Sequence, residues 1–303
     1  MLARLSIAAL LFCTILSAQL RADDADWVVA GYLPNYRIAE WSGEVGPVTD
    51  VILFGYSVSP DGKFNASKIS ASHRAAVQEA KQKSGCRVLF CVGGWGKSSG
   101  FAKMSADPEL RKEFVQQIAA YCQENGFDGV DYDWEHPEDA AQIKALAQLL
   151  TETKSKFAEH GWLVTIAQAS WQPLGKACYD AIDRVHLMSY DHGFPQATME
   201  KSQIDVQRLM EDGCPAEKIA LGMPFYGRNK DRKTRTYAQL IERPTFSKDT
   251  SLVDGYAFNG PQMVQQKVAF AKKKGLAGVM IWELGQDASG ELSLLGVIED
   301  AVR

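Results

Sequence analysis

The chain has 303 residues, 46% of them hydrophobic and 23% charged, with a formal net charge of −4. This composition is too apolar for a disordered chain, and it has neither the basic excess of a nucleic-acid-binding surface nor an acidic tract. The length suits one large domain, since barrels of about 250 residues form a single unit.

In chain order, residues 1–22 come first. They carry Arg4, an apolar run over 5–16, and then the small residues Ser17 and Ala18. A charged start, an apolar stretch too short to span a bilayer and small residues after it make a secretory leader. Cleavage is expected near Ala22, leaving 23–303 as a mature chain with 31 basic and 37 acidic residues, a net −6. No later segment is long and apolar enough to be a membrane span. A secreted protein, extracellular or periplasmic and monomeric, is expected.

From Trp27 onward, β-rich runs at 27–32, 51–56, 87–92, 129–134, 163–167, 185–190, 219–224 and 278–282 alternate with amphipathic stretches. Those stretches lie at 73–84, 108–124, 137–160, 199–212 and 262–274. In 108–124 the apolar residues Leu110, Phe114, Ile118 and Tyr121 fall on one helix face. Asp107 supplies its N-cap, with Pro108 at the first helical position, and Gly126 and Gly161 sit where helices end. Eight β-runs with helices between them predict a parallel (β/α)8 TIM barrel of class α/β. The polar segment 229–259 is too long for an ordinary loop and is expected to be a short insertion between strand 7 and the last long helix. Neither a repeat nor a linker interrupts the pattern, so 23–303 is read as one domain.

Barrel chemistry collects at the C-terminal ends of strands. The fourth run ends Asp131-Tyr132-Asp133-Trp134-Glu135. Residues two apart share a strand face, so the three acids point one way while Tyr132 and Trp134 point toward the helices. Three acids inside a barrel are costly, because burial and mutual repulsion both oppose ionisation. Catalysis explains such a stack. Glu135, last on the strand, reaches the rim, and like charges below it are expected to raise its proton affinity, as a general acid requires.

The stretch resembles glycoside hydrolase family 18, the chitinase family, whose DxxDxDxE signature is matched by Asp128, Asp131, Asp133 and Glu135. Further likenesses are Gly31-Tyr32-Leu33-Pro34-Asn35 in strand 1, Gly93-Gly94-Trp95 after strand 3, Met188-Ser189-Tyr190-Asp191 after strand 6, Pro224 to Arg228 after strand 7, and Trp282 at the end of strand 8. The resemblance implies a glycosidase cleaving β-1,4 linkages of N-acetylglucosamine polymers by substrate-assisted retention, an exception to the two-carboxylate scheme. Glu135 would be the acid, Asp133 would hold the substrate acetamido group with Asp131 behind it, and Tyr190 would donate to the acetamido oxygen. Asp191, Trp282, Tyr32, Trp95, Met188, Tyr226, Arg228 and Trp171 would contact the sugar. An endo-β-N-acetylglucosaminidase acting on N-glycans or peptidoglycan, or an inactive chitin-binding lectin, are the alternatives. The family's serine before Gly-Gly is Cys91 here, and the tyrosine that often follows its catalytic acid is His136.

No cofactor is implied, and His73, His160, His186 and His192 show no metal-ligand spacing. Cys86, Cys122, Cys178 and Cys214 all fall at one end of the expected barrel. Export permits disulfides, so the pairs Cys86–Cys122 and Cys178–Cys214 are expected, with Cys91 free inside the barrel.

Overall fold

The computed structural model describes residues 27–242 and 246–303. The leader expected over 1–22 lies outside the described residues. Eight parallel strands form the centre: β1 (Val28–Pro34), β2 (Asp50–Val58), β3 (Arg87–Gly93), β4 (Gly129–Asp133), β5 (Leu163–Ala169), β6 (Arg184–Met188), β7 (Ile219–Pro224) and β8 (Gly278–Trp282). Each pairs with its sequence neighbours, and β1 pairs with both β8 and β2, which closes the barrel. The short runs are buried on both faces because side chains alternate between two apolar layers. Val29, Val51, Leu53, Val88 and Phe90 pack outward against the helices, while Ala30, Tyr32, Ile52, Leu89, Cys91 and Met280 fill the interior.

The main helices are α1 (Ala71–Ser84), α2 (Pro108–Asn125), α3 (Ala140–Phe157), α4 (Met199–Glu211), α5 (Pro261–Lys273) and α6 (Leu294–Val302). Asp107 accepts hydrogen bonds from the amides of Glu109 and Leu110 to open α2, and Gly126 closes it in the left-handed region. α3 begins later than the 137 expected from sequence. Asp139 caps it by accepting from the Gln142 amide, which leaves 134–138 as the loop that carries Glu135. The C-terminal α6 and the short helices Phe101–Ala106 and Lys176–Asp180 are additional elements. The expected insertion is a small antiparallel sheet of Tyr226–Arg228, Thr234–Thr236, Leu252–Val253 and Tyr256–Ala257, with the short helix Tyr237–Ile241.

The cysteine pairing is corrected. Cys86, Cys91, Cys122, Cys178 and Cys214 are all buried free thiols. A shared barrel end is not enough for a disulfide, which needs Cβ atoms about 4 Å apart on converging bonds. Here the Cys178 Sγ faces the Ile143 carbonyl at 3.8 Å, while the Cys214 Sγ faces the carbonyl of its own neighbour Pro215 at 3.6 Å. Cys122 is packed inside the core from α2. Cys91 alone is as expected, a free thiol in the interior.

Lys267 on α5 is fully buried and donates from Nζ to the Ala197 carbonyl at 3.0 Å. Burial pushes its ammonium down to about 7, with the Asp205 charge opposing, from 10.5 for an unperturbed lysine. Between these values the unfolded chain holds the proton more tightly, so this group's destabilisation is full below about 7 and fades as pH rises toward 10.5. Lys267→Met is therefore expected to stabilise the fold at pH 7 by up to about 4 kcal/mol, seen as a higher denaturation midpoint. The gain should shrink steadily toward pH 10, as chemical denaturation of both proteins across that range would show.

Candidate active site

The interior alternation of β4 places Asp131 and Asp133 inside the barrel, while Tyr132 turns outward to bond Thr153 of α3 at 2.8 Å. Asp131 is fully buried and is held by four strands. Its Oδ2 accepts from the Tyr32 hydroxyl of β1 at 2.7 Å, and its Oδ1 accepts from the Thr165 hydroxyl of β5 at 2.6 Å. His186 Nδ1 of β6 lies 2.9 Å from the same Oδ1. The Cys91 thiol of β3 also bonds Asp131, and burial together with this acid pushes the thiol far above its usual range. Cys91, at the place of the family's serine, thus stays a neutral donor to Asp131.

Asp133 lies one layer higher and is 3% exposed. Its Oδ1 has no hydrogen-bond partner among the described residues. Burial raises its proton affinity well above the ordinary carboxylic range, reinforced by Glu135 and Asp131 and opposed by Lys97. Glu135 stands past the strand end with its side chain 15% exposed, so exposure rises step by step from Asp131 to the rim. Burial is the main cause that raises its proton affinity, and the Asp191 charge adds to it. The Trp95 amide, which bonds the carboxylate, and Lys97 both oppose. The raised affinity was anticipated from acids below Glu135 on the strand, but desolvation leads.

The loop after β3 holds this strand end in place. Gly94 N–H donates to the Asp133 carbonyl at 2.6 Å, and a Cβ on Gly93 would lie 2.1 Å from that same oxygen. Gly93 also has φ 111°, so only glycine fits. The Ser98 hydroxyl donates to the Asp133 carbonyl at 3.1 Å and accepts from the Glu135 amide at 3.0 Å.

Trp282 floors the mouth, with its ring 5.5 Å from Tyr32 and 5.1 Å edge-on to Phe54. Tyr190 stands on the β6 side, half-buried, with its ring 6.4 Å from Tyr226 and its hydroxyl 4.0 Å from Met280 Sδ. Asp191 adopts φ 63° and is clamped by the Tyr226 hydroxyl at 2.7 Å and Arg228 at 2.8 Å. Met188 packs at the top of the interior layer. Trp95 and Trp171 are 81% and 60% exposed on the rim. Tyr32 is placed differently from expectation. It is 1% exposed and spends its hydroxyl on Asp131, so it supports the acids from below rather than lining the rim.

The sequence pattern does not place His186, Thr165 or Ser98 in the site. The first two carried a usable signal, because each alternates with apolar residues that face the helices. Ser98 carried none, since it acts through a turn that bridges two strands. Among the described residues no group of three or more His, Cys, Asp or Glu side chains is arranged to hold a metal ion, and no helix is long and apolar enough to cross a membrane.

The sequence pattern of the family described as Glycosyl hydrolases family 18 matches residues 28–287, which contain every residue of the site. The chain belongs to glycosyl hydrolase family 18. Among family relatives, chitinase 1 of Aphanocladium album is 28% identical, covering 71% of this chain and 65% of its own length. Chitotriosidase-1 of Mus musculus is 26% identical, covering 66% of this chain and 58% of its own. The chain thus spans somewhat less than two thirds of these relatives. A chitinase structure from Bacteroides thetaiotaomicron superposes with a TM-score of 0.82 at 25% identity, covering 91% of this chain and 96% of the other. The family 18 chitinase ChiB of Flavobacterium johnsoniae shares the fold with a TM-score of 0.81 at 23% identity, covering 91% and 94%.

Proposed function

We propose that this family 18 chain is a secreted glycosidase that hydrolyses β-1,4 linkages of N-acetylglucosamine polymers, chitin or chitooligosaccharides, by substrate-assisted retention. The observation that carries the proposal is the graded acid stack: Glu135 at the rim, its proton affinity raised by burial, above a buried Asp133 whose Oδ1 has no hydrogen-bond partner among the described residues. A retaining enzyme with its own nucleophile needs a second carboxylate at the rim. Here Asp133 is buried and the exposed Asp191 is engaged by Tyr226 and Arg228, which suits a nucleophile supplied by the substrate.

In this reading a sugar stacks on Trp282 and its acetamido N–H donates to the open Oδ1 of Asp133. Glu135 gives its proton to the glycosidic oxygen as the C1–O bond breaks. The acetamido carbonyl oxygen forms the new bond to C1, giving an oxazolinium ion whose positive charge Asp133 stabilises. Asp131, backed by Tyr32, Thr165, His186 and Cys91, serves as its proton partner, and the Tyr190 hydroxyl donates to the acetamido oxygen. Water then opens the ring at C1 and returns its proton to Glu135. Asp191, held by Tyr226 and Arg228, contacts the sugar, and Trp95 and Trp171 offer stacking faces on either side of the acid. The small insertion leaves the groove open, which suits short or soluble chains. Residues 1–22 act as a leader in this proposal, 23–303 form the catalytic barrel with 229–259 as its insertion, and the enzyme works as an extracellular or periplasmic monomer.

Incubating residues 23–303 with chitotetraose and following the products by mass spectrometry tests the reading. Shorter N-acetylglucosamine oligomers are expected, and an unchanged tetramer would refute it. Ser98→Ala should lower kcat on the same substrate about tenfold with KM little changed. The Glu135 amide would lose its buried acceptor and the acid its fixed height, a loss of the size that a buried hydrogen bond supports. Steady-state kinetics of the two proteins would check it.

A further inference from the structure

His136 is the point where this chain departs from its family directly beside the acid. Its Nε2 stands 3.6 Å from Glu135 Oε2, and both side chains are largely buried, 22% and 15% exposed. The imidazole is held by Trp171, whose ring meets it edge-on at 4.8 Å. Gln172, from the same loop after β5, opposes the effect of burial on the imidazole, whose Nδ1 has no hydrogen-bond partner among the described residues, and neither Trp171 nor Gln172 ionises. The charged groups that reach the pair act on Glu135: Asp191 from the loop after β6, Lys97 from the loop after β3, and Asp133 below through its own coupling to Glu135. Glu135 is the one acid within ion-pair distance of His136 among the described residues.

We infer, on the proposed reading of Glu135 as the acid, that His136 is a positioning residue that sets the pH range over which Glu135 keeps its proton. A single proton on the pair has two homes. On Glu135, beside a neutral imidazole, it makes the competent acid. On His136 it makes an imidazolium facing a carboxylate, an ion pair with nothing to give the leaving oxygen. The two groups titrate as a unit, so the pH limb belongs to the pair. Burial moves the two affinities toward each other, lowering that of His136 and raising that of Glu135. The tyrosine that relatives often carry at this place would not titrate in that range.

The inference is read in pH profiles of kcat/KM, which report the free enzyme. With chitotetraose, His136→Phe puts an apolar ring beside the carboxyl, which disfavours its charged form, so the alkaline limb should move up by about half to one pH unit. His136→Lys fixes a positive charge beside the carboxylate and should move the limb down by a similar amount. Limbs that stay in place, or that move in the same direction in both variants, would overturn the inference even if kcat falls. A second arm needs no turnover. Titration of 15N-histidine signals in the wild-type protein and in Glu135→Gln should show the His136 pKa lower in the variant, because coupling between two sites is reciprocal. An unchanged His136 pKa would overturn the inference as well. Failure of the wild-type protein to cleave chitotetraose would count against the proposed function, and the histidine titration would still decide the coupling.

Discussion

Glu135→Gln should lower turnover of chitotetraose by about 10³-fold or more while leaving the protein folded and able to bind the oligosaccharide. General acid catalysis contributes about 10²–10⁴-fold, and an amide of the same shape cannot supply the proton. The rest of the site should be undisturbed. The side-chain carbonyl of glutamine still accepts from the Trp95 amide, and the backbone bond to Ser98 is untouched. Stability should not fall, because burial opposes the charged form of Glu135 and a neutral amide removes that cost. Steady-state kinetics paired with calorimetric titration of the tetramer would separate the two effects. Loss of binding together with turnover would assign Glu135 to substrate recognition instead.

Asp133→Asn is the second large expected effect, a fall in kcat of about 10²-fold. Asparagine can still accept from the acetamido N–H, but it carries no charge to stabilise a cationic oxazolinium ion, so transition-state stabilisation is lost more than ground-state binding. The variant should also move the alkaline limb of kcat/KM to lower pH. Glu135 raises the proton affinity of Asp133, and by reciprocity Asp133 raises that of Glu135, so removing one charge lets the other group ionise earlier. A profile of kcat and KM against pH would show both changes. A variant that kept wild-type kcat would exclude Asp133 from the charge-developing step.

Much of this site was legible in the chain. The period of two in β4 placed Asp131, Asp133 and Glu135 on one face, and the rising exposure from Asp131 to Glu135 follows from strand direction alone. The same period in β5 and β6 put Thr165 and His186 inside, although a histidine between valine and leucine reads as core until the facing strand is known. Tyr32 obeys that alternation too. The family resemblance implied a sugar contact for it, yet its inward face carries its hydroxyl to Asp131. What the chain could not show was contact across turns. Ser98 meets Asp133 and Glu135 because Gly93 and Gly94 fold the β3 loop against β4, and His136 meets Trp171 across the gap between the loops after β4 and β5. The cysteines failed for a related reason: position along the barrel axis was readable, whereas the direction of each Cβ around it was not.

The most direct test of the central claim is the configuration of the first product. Wild-type protein acting on chitotetraose, followed by 1H NMR in the first minutes before mutarotation, should release the β-anomer. The substrate's own acetamido oxygen shields one face of C1, and water must enter from the other. Initial release of the α-anomer would mean direct displacement by water and would contradict substrate-assisted retention at Glu135 and Asp133.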